Sequence, residues 1–215
     1  GVYFVAAKPL VSELFPERVG RMLGIHGMAS QLAAVAAAPV VTLALFLYDY
    51  RLAFGIVGVG ALLMTTATTV VGRRANLPDA GRSDRDLLGA IRDNWHLIAT
   101  AIAILGTVGF VWNGVFNFYV SYLITAKGLS GPMANNLLTV VFAAGVPAFA
   151  IGGRLADRLP HFPLMFGIVG AFAIVLYTLT HVGSLGLLVL WSVLIGTVIH
   201  SLFPVIDTYV LGSLP

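Results

Sequence analysis

Four stretches of this chain, Met22 to Tyr48, Leu52 to Gly72, Asn94 to Ala126 and Gly128 to Gly153, contain no Asp, Glu, Lys or Arg, and no other feature limits the fold as much. A soluble core of similar size would interrupt its apolar runs with charge every few residues. Each run is long enough to cross a bilayer as a helix, which takes about 20 apolar residues. The composition agrees, with 59% hydrophobic and 10% charged residues, against about a quarter charged in a water-soluble domain. Membrane β-barrels alternate apolar and polar residues in strands of about ten, and these runs do not alternate. Only a helical bundle satisfies so much backbone in hydrocarbon. The expected fold class is therefore an all-α polytopic membrane protein.

Charges and turn residues divide the chain into an incomplete span at Val2 to Val11 and six full ones: Leu23 to Leu47, Leu52 to Val71, Leu97 to Thr125, Pro132 to Gly152, Leu164 to Thr180 and Leu187 to Leu211. The stretch from Leu159 to Ile206 is too long for one helix, and His181-Val182-Gly183-Ser184 is its only polar, flexible break. Alternate loops differ sharply in basic residues. One side holds Arg18, Arg21, Arg73, Arg74, Arg82, Arg85, Arg92, Arg154 and Arg158, and the other only Arg51 and Lys127. The first side is expected to be cytoplasmic by the positive-inside rule. Arg73 to Asp93 mixes both signs of charge with Pro78, Gly81 and Gly89, which suits a linker with a short surface helix after Ser83. A regulatory partner site is the rival reading of that loop.

Several functions are excluded. With no cysteine there can be no disulfide scaffold and no thiolate metal or redox site. The net charge of +3 and pI near 9.5 do not imply nucleic acid, because the basic residues sit in short loops where orientation explains them. No HExxH, GxSxG, P-loop, GxGxxG or metal-ligand spacing occurs. No enzyme, cofactor or metal is expected. Gly1 begins inside an apolar stretch and Pro215 stops just after another, so a piece of a longer protein is expected.

Three segments carry a family resemblance. Gly153-Arg154-Leu155-Ala156-Asp157-Arg158 resembles the GxLADRxGR loop signature of the major facilitator superfamily of secondary transporters, although Pro160, His161 and Phe162 replace the tail of that motif. Phe15-Pro16-Glu17-Arg18-Val19-Gly20-Arg21-Met22-Leu23-Gly24 is similar to the loop after that family's fourth helix. Tyr50-Arg51-Leu52-Ala53-Phe54 is similar to the start of its sixth, with Tyr in place of Trp. On this register the chain runs from the end of family helix 4 to helix 10, an incomplete bundle of six full spans plus a stub. Residues 1–72 would end the N-terminal half, 73–94 would link the halves, and 95–215 would form part of the C-terminal half. The resemblance implies that the halves are duplicates, and an offset of 199 indeed pairs Phe15-Pro16 with Leu214-Pro215, Phe4 with Phe203 and Val11 with Val210. A transporter that rocks one half against the other needs both, so this piece alone is expected to transport nothing.

The candidate residues follow from these positions. Gly153, Asp157 and Arg158 would form a conformational latch, with the carboxylate accepting backbone N–H groups at a helix N-terminus; an ordinary charged loop is the alternative. Gly106, Gly109, Asn113, Asn117 and Ser121 form one small, polar stripe at spacings of three and four. Asn113 and Asn117, flanked by Trp112, Phe116 and Tyr119, suit a wetted cavity holding a polar ligand, or else an interhelical seam. The resemblance favours the cavity, since family helices 1, 4, 7 and 10 line it. His200 and Asp207 share a face about two turns apart, with Pro204 between them, and ionisable groups inside a span are costly and often functional. They are candidates for proton coupling, against a packing role for His200 and a solvated one for Asp207. Lys8 either faces the cavity to attract an anionic substrate or snorkels to the headgroups. Gln31, His26, Asn135 and Asn136 are secondary polar candidates, read as interhelical or interface contacts. Ala36-Ala37-Ala38-Pro39 keeps the proline of an antiporter signature without its glycines, so no antiport assignment follows.

The expected function is part of a secondary active transporter moving a small solute by alternating access, with protons as the coupling ion to be tested and the plasma membrane as its expected location. The expected partners are the lipid bilayer and a small-molecule substrate, with no nucleic acid. A transport-dead, transporter-like sensor or signalling protein is the alternative. Substrate identity is open, with sugars, organic anions and amphipathic drugs all compatible.

Overall fold

The structure, a computed structural model, describes residues 2–74, 89, 92–93 and 95–213. Among them, seven helices follow one another: α1 (Val2–Leu14), α2 (Val19–Leu47), α3 (Tyr50–Arg74), α4 (Trp95–Thr125), α5 (Gly131–Ala156), α6 (His161–Leu179) and α7 (Leu185–Ser213). A 3-10 turn at Pro16–Arg18 joins the first two, and no strand occurs among the described residues. Helices α2 to α7 are each long and apolar enough to cross a membrane. These are the six expected spans, and α1 is the expected stub. The chain breaks between α6 and α7 after Leu179 and resumes at Leu185, where His181 to Ser184 predicts a turn. The expected linker helix after Ser83 lies outside the described residues, apart from Gly89, Arg92 and Asp93, which are helical.

The helices overrun the apolar runs that announced them. Helix α5 extends past Gly152 to Ala156, because leaving hydrocarbon gives the backbone no reason to abandon its hydrogen bonds. It stops where Asp157 takes the C-cap position and Pro160 follows. At the end of α4 the chain turns at Gly128, whose φ of 70° suits a residue without a Cβ. The neighbouring Lys127 Nζ donates to the Thr180 carbonyl at 2.8 Å, placing a cation against the open carbonyls just past α6.

The described residues divide into two compact units, Gly1–Leu32 with Arg85–Pro215, and Ala33–Asp84. In the second unit, α3 buries no residue, and Phe54 and Leu62 are among its strongly exposed apolar side chains. Such a surface is suited to lipid rather than water. Its polar groups are satisfied internally. The hydroxyls of Thr65, Thr66, Thr68 and Thr69 each donate to the carbonyl four residues back at 2.7–2.8 Å, which hydrocarbon requires. At its start, Asp49 Oδ1 accepts the Arg51 N–H at 2.7 Å.

The first unit is built on α5 against α7. Leu123, Leu137, Val141, Leu188 and Ile195 form the centre of its core. Close approach of α5 and α7 rests on glycines: a Cβ on Gly152 would lie 2.9 Å from Ser201 Cα, and one on Gly196 would lie 2.9 Å from the Ala144 Cβ and closer still to the Val141 carbonyl. Small residues at such crossings let two backbones pack without the hydrophobic drive that water would supply. Tyr119 adds a polar tie here, its hydroxyl 2.7 Å from Ser192 Oγ in the buried core.

Candidate functional site

At the arginine-rich end, α2 begins against the end of α5. Gly20, Gly24 and Gly27 fall on one face of α2 at spacings of four and three. A Cβ on Gly20 would meet the Gly153 carbonyl at 2.6 Å, Asp157 Oδ1 at 2.7 Å and the Ala156 Cβ at 3.0 Å. A Cβ on Gly24 would lie 3.3 Å from Gly153 Cα, and one on Gly27 would run into the Phe149 ring. Backbone therefore meets backbone here. In that contact Asp157 Oδ1 accepts the Gly20 N–H at 2.7 Å, and Oδ2 accepts the Arg21 N–H at 2.9 Å. Both donors belong to the first turn of α2, whose N–H groups have no partner within their own helix. A carboxylate there is held by two charge-assisted bonds and by the helix dipole. Arg158 is exposed. With Glu17, Arg18, Arg21, Arg154 and Asp157 it lines a concavity of about 380 Å³.

Deeper in the same unit lies a cavity of about 460 Å³, lined from five helices. Lys8 comes from α1; Leu23, His26, Gly27, Ser30 and Gln31 from α2; Gly109 and Trp112 from α4; Phe149 from α5; and Phe203 and Asp207 from α7. Its charged residues form a pair, with Lys8 Nζ 2.7 Å from Asp207 Oδ1 and side chains only 32% and 16% exposed. The two positions are 199 residues apart, the same offset that relates the proposed halves. Each sits six residues before the end of its helix, at Leu14 and Ser213, which is about 9 Å of helical rise. A larger depression of about 530 Å³ along α5, α6 and α7 is lined by apolar residues with Thr197 and Ser201, and holds no charged group.

His200 stands behind the wall of the cavity and is fully buried. Its Nδ1 lies 2.7 Å from the Gly196 carbonyl. Since a carbonyl can only accept, Nδ1 carries the proton, and the Nε2 of the neutral ring is an acceptor. That Nε2 has no hydrogen-bond partner. Aromatic rings surround it, with the centroids of Trp112 at 4.9 Å, Phe149 at 5.8 Å, Phe116 at 5.9 Å and Phe142 at 6.1 Å. Gly145 makes the room: a Cβ there would meet His200 Nδ1 at 2.7 Å and Gln31 Oε1 at 3.0 Å. Gln31 is 5% exposed, and its Oε1 also lacks a hydrogen-bond partner.

The structure thus brings Lys8, Asp207 and Trp112 to one cavity, with His200 beside it. Asn113 and Asn117 are placed differently. Both are exposed, and their amides donate at 2.8 Å to the carbonyls of Gly109 and Asn113 on their own helix. Tyr119 is spent on Ser192 in the core. Gln31, Ser30, Phe149 and Phe203 enter the cavity wall without having been singled out as its lining. Glycine spacing on α2 was the available signal for the close contact that positions Gln31. For the pairing of Lys8 with Asp207, both candidates in their own right, it was the 199-residue offset.

These features can be set beside known proteins. The sequence model of the Major Facilitator Superfamily matches residues 1–215. The chain is 32% identical over 97 residues to a protein named an MFS-type transporter from Aspergillus fumigatus; the match covers 44% of this chain and 22% of the relative. The chain therefore spans only a minor part of that relative's length. No solved structure matches. The full-length family match, together with six membrane-crossing helices in an all-α architecture, places this chain in the Major Facilitator Superfamily.

Proposed function

We propose that the chain is part of a secondary active transporter that moves a small solute by alternating access, with the cavity around Lys8 and Asp207 as its solute site. The observation that carries the reading is an ion pair inside a cavity that five helices converge on. Charges within a membrane protein are costly and are kept where they act on a ligand or an ion. The volume of about 460 Å³ falls in the range of small-molecule sites. Residues 1–72 and 95–215 then belong to the two halves, joined by residues 73–94, and Asp157 bridges the halves at the arginine-rich, cytoplasmic end. With Gly153 permitting the close contact and Arg158 beside it, Asp157 acts as the latch that must release for the cavity to open to that side.

When the Lys8–Asp207 pair opens, Asp207 needs another positive partner: a proton, a protonated His26 in the same cavity, or a positive group on the solute. His200 offers a second proton-accepting atom near the same place. Asn113 and Asn117 contribute to the solute path on the exposed face of α4, and Tyr119 holds α4 in position. The protein works in the plasma membrane. The test is solute counterflow by the full-length protein in proteoliposomes, measured for the parent protein and for Asp207→Asn. Transport that Asp207→Asn abolishes supports the assignment; transport unaffected by it removes the cavity from the mechanism. If His200→Ala leaves the pH dependence of transport untouched, His200 has no part in coupling.

A further inference from the structure

The geometry points to a bound lipid: an anionic phospholipid whose phosphate sits in the arginine-lined concavity at the start of α2 and whose acyl chain lies in the apolar depression along α5, α6 and α7. Four arginines, Arg18, Arg21, Arg154 and Arg158, line the concavity together with Glu17 and Asp157. Both oxygens of Asp157 are engaged by the Gly20 and Arg21 N–H groups. None of the four guanidinium groups forms an ion pair or a hydrogen bond with a described residue, and the lining carries an excess of two positive charges. A guanidinium presents its donors as a planar fork that matches the oxygens of a phosphate. The depth suits a headgroup. One charge-free run begins at Met22, directly after Arg21, and another ends at Gly153, directly before Arg154, so the arginines stand where hydrocarbon gives way to the polar layer, the level at which basic clusters hold anionic lipids.

The apolar depression opens on the adjoining side of the same helix end. The helical turn continues past Ala156, with the Leu159 N–H donating to the Leu155 carbonyl at 2.9 Å. Arg154 and Arg158 are therefore stacked one turn apart on one side, and Leu155 and Leu159 on the next, about 100° round. Those two leucines line the depression of about 530 Å³. From Leu159 to Ala148, its far residue on α5, the helix rises about 16 Å, half of a hydrocarbon core of about 30 Å. A chain from one leaflet spans that length. The wall suits hydrocarbon, since Ile151 is 48% exposed and Leu159 45%, and the Ser201 hydroxyl is already donated to the Val198 carbonyl at 2.8 Å. A free inorganic anion would use only the arginines, and a phosphatidylcholine adds a cation that they repel. An anionic phospholipid uses both depressions. Held by Arg18 and Arg21 on one side and by Arg154 and Arg158 on the other, its phosphate ties the start of α2 to the end of α5.

The test is native mass spectrometry of the full-length protein, released from a non-ionic detergent containing equal amounts of phosphatidylglycerol and phosphatidylcholine with the same acyl chains. Phosphatidylglycerol should be retained at least about tenfold more than phosphatidylcholine. Arg18→Gln combined with Arg154→Gln should remove that preference; both positions are exposed, so their replacement leaves packing intact. Arg73→Gln combined with Arg74→Gln, at the end of α3 and outside the lining of the concavity, should keep it. Gly167→Leu adds a side chain that enters the apolar depression from a position where a Cβ meets nothing within 4 Å, and it should lower retention of phosphatidylglycerol by a similar factor. Inorganic phosphate should not displace the lipid. Equal retention of the two lipids by the unsubstituted protein overturns the inference. So does an equal loss in the Arg73 and Arg74 variant, which would reduce the effect to general attraction between charges, and so does displacement by inorganic phosphate, which would make a free anion the ligand. Retention that Gly167→Leu leaves unchanged removes the acyl chain from the depression and overturns the lipid site as drawn.

Discussion

Adding one methyl group at Gly20 should unlatch the arginine-rich end. In Gly20→Ala the new Cβ would lie 2.6 Å from the Gly153 carbonyl oxygen and 2.7 Å from Asp157 Oδ1, where ordinary contact begins at 3.4 Å. The Gly153 oxygen is backbone and cannot swing aside, so α2 and α5 must part by about 0.8 Å in a close-packed contact. Carried through to the Gly20 N–H, that displacement stretches its 2.7 Å bond to Asp157 to about 3.5 Å, the limit of a hydrogen bond. Overpacking of this kind costs about 1–3 kcal/mol, and weakening, without losing, a bond to a charged acceptor at an exposed site such as Asp157 costs about 1 kcal/mol. A total of about 2–4 kcal/mol corresponds to a shift of about 30- to 1,000-fold in the closed-to-open ratio.

The assay needs one reactive thiol, and none of these 215 residues is cysteine; any cysteine elsewhere in the full-length protein is replaced by serine. Leu23 is 3% exposed and lines the cavity below the latch. In the full-length protein carrying Leu23→Cys, alkylation by a membrane-impermeant maleimide added on the arginine-rich side reports how often that end opens. Gly20→Ala should accelerate the reaction by about the same 30- to 1,000-fold. Gly170→Ala on α6, where a Cβ meets nothing within 4 Å, is the control. It should leave the rate unchanged and raise helix stability by up to about 1 kcal/mol. Equal alkylation rates in the two variants would refute the reasoning.

Two other expectations concern stability. The single Ser192 proton goes to the Leu188 carbonyl at 2.7 Å, so Tyr119 is the donor in their contact. Tyr119→Phe should then cost only about 1 kcal/mol, whereas Ser192→Ala strands a buried hydroxyl donor and costs about 1–3 kcal/mol; thermal melts in the reverse order would show the hydroxyls to be arranged otherwise. For the ion pair, Lys8→Met and Asp207→Asn should each lower the melting temperature by several degrees, reflecting about 1–3 kcal/mol for a partly exposed pair. The double variant should regain most of that loss, and strictly additive losses would mean that the pair is not coupled.

Most of the fold could be read from the sequence because hydrocarbon imposes one rule: a charge-free run of sufficient length must be a helix. That rule placed six spans and the turn at His181 to Ser184. It could not place helix ends, since loss of apolarity ends the membrane and not the helix, as α5 shows by continuing to Ala156. The carboxylate at a helix N-terminus was legible at Asp157 because its chemistry is local. The cavity was harder. Asn113 and Asn117 are the conspicuous polar residues of α4, but an amide in a helix can satisfy itself on the carbonyl four residues back, as both do, and so does not by itself mark a cavity. Charge cannot be satisfied that way, and this is why Lys8 and Asp207 reach across to each other. Their pairing was hidden because the 199-residue offset was used to match identical residues. An ion pair needs opposite charges, which a match of identities passes over.

Alternating access is tested most directly by the distance across the latch. Spin labels at Arg18→Cys and Arg158→Cys, both at exposed positions beside Asp157, can be measured by pulsed electron resonance in the reconstituted full-length protein. Two distance populations are expected, with Asp157→Asn transferring weight from the shorter to the longer. A single distance that Asp157→Asn leaves unchanged would contradict alternating access.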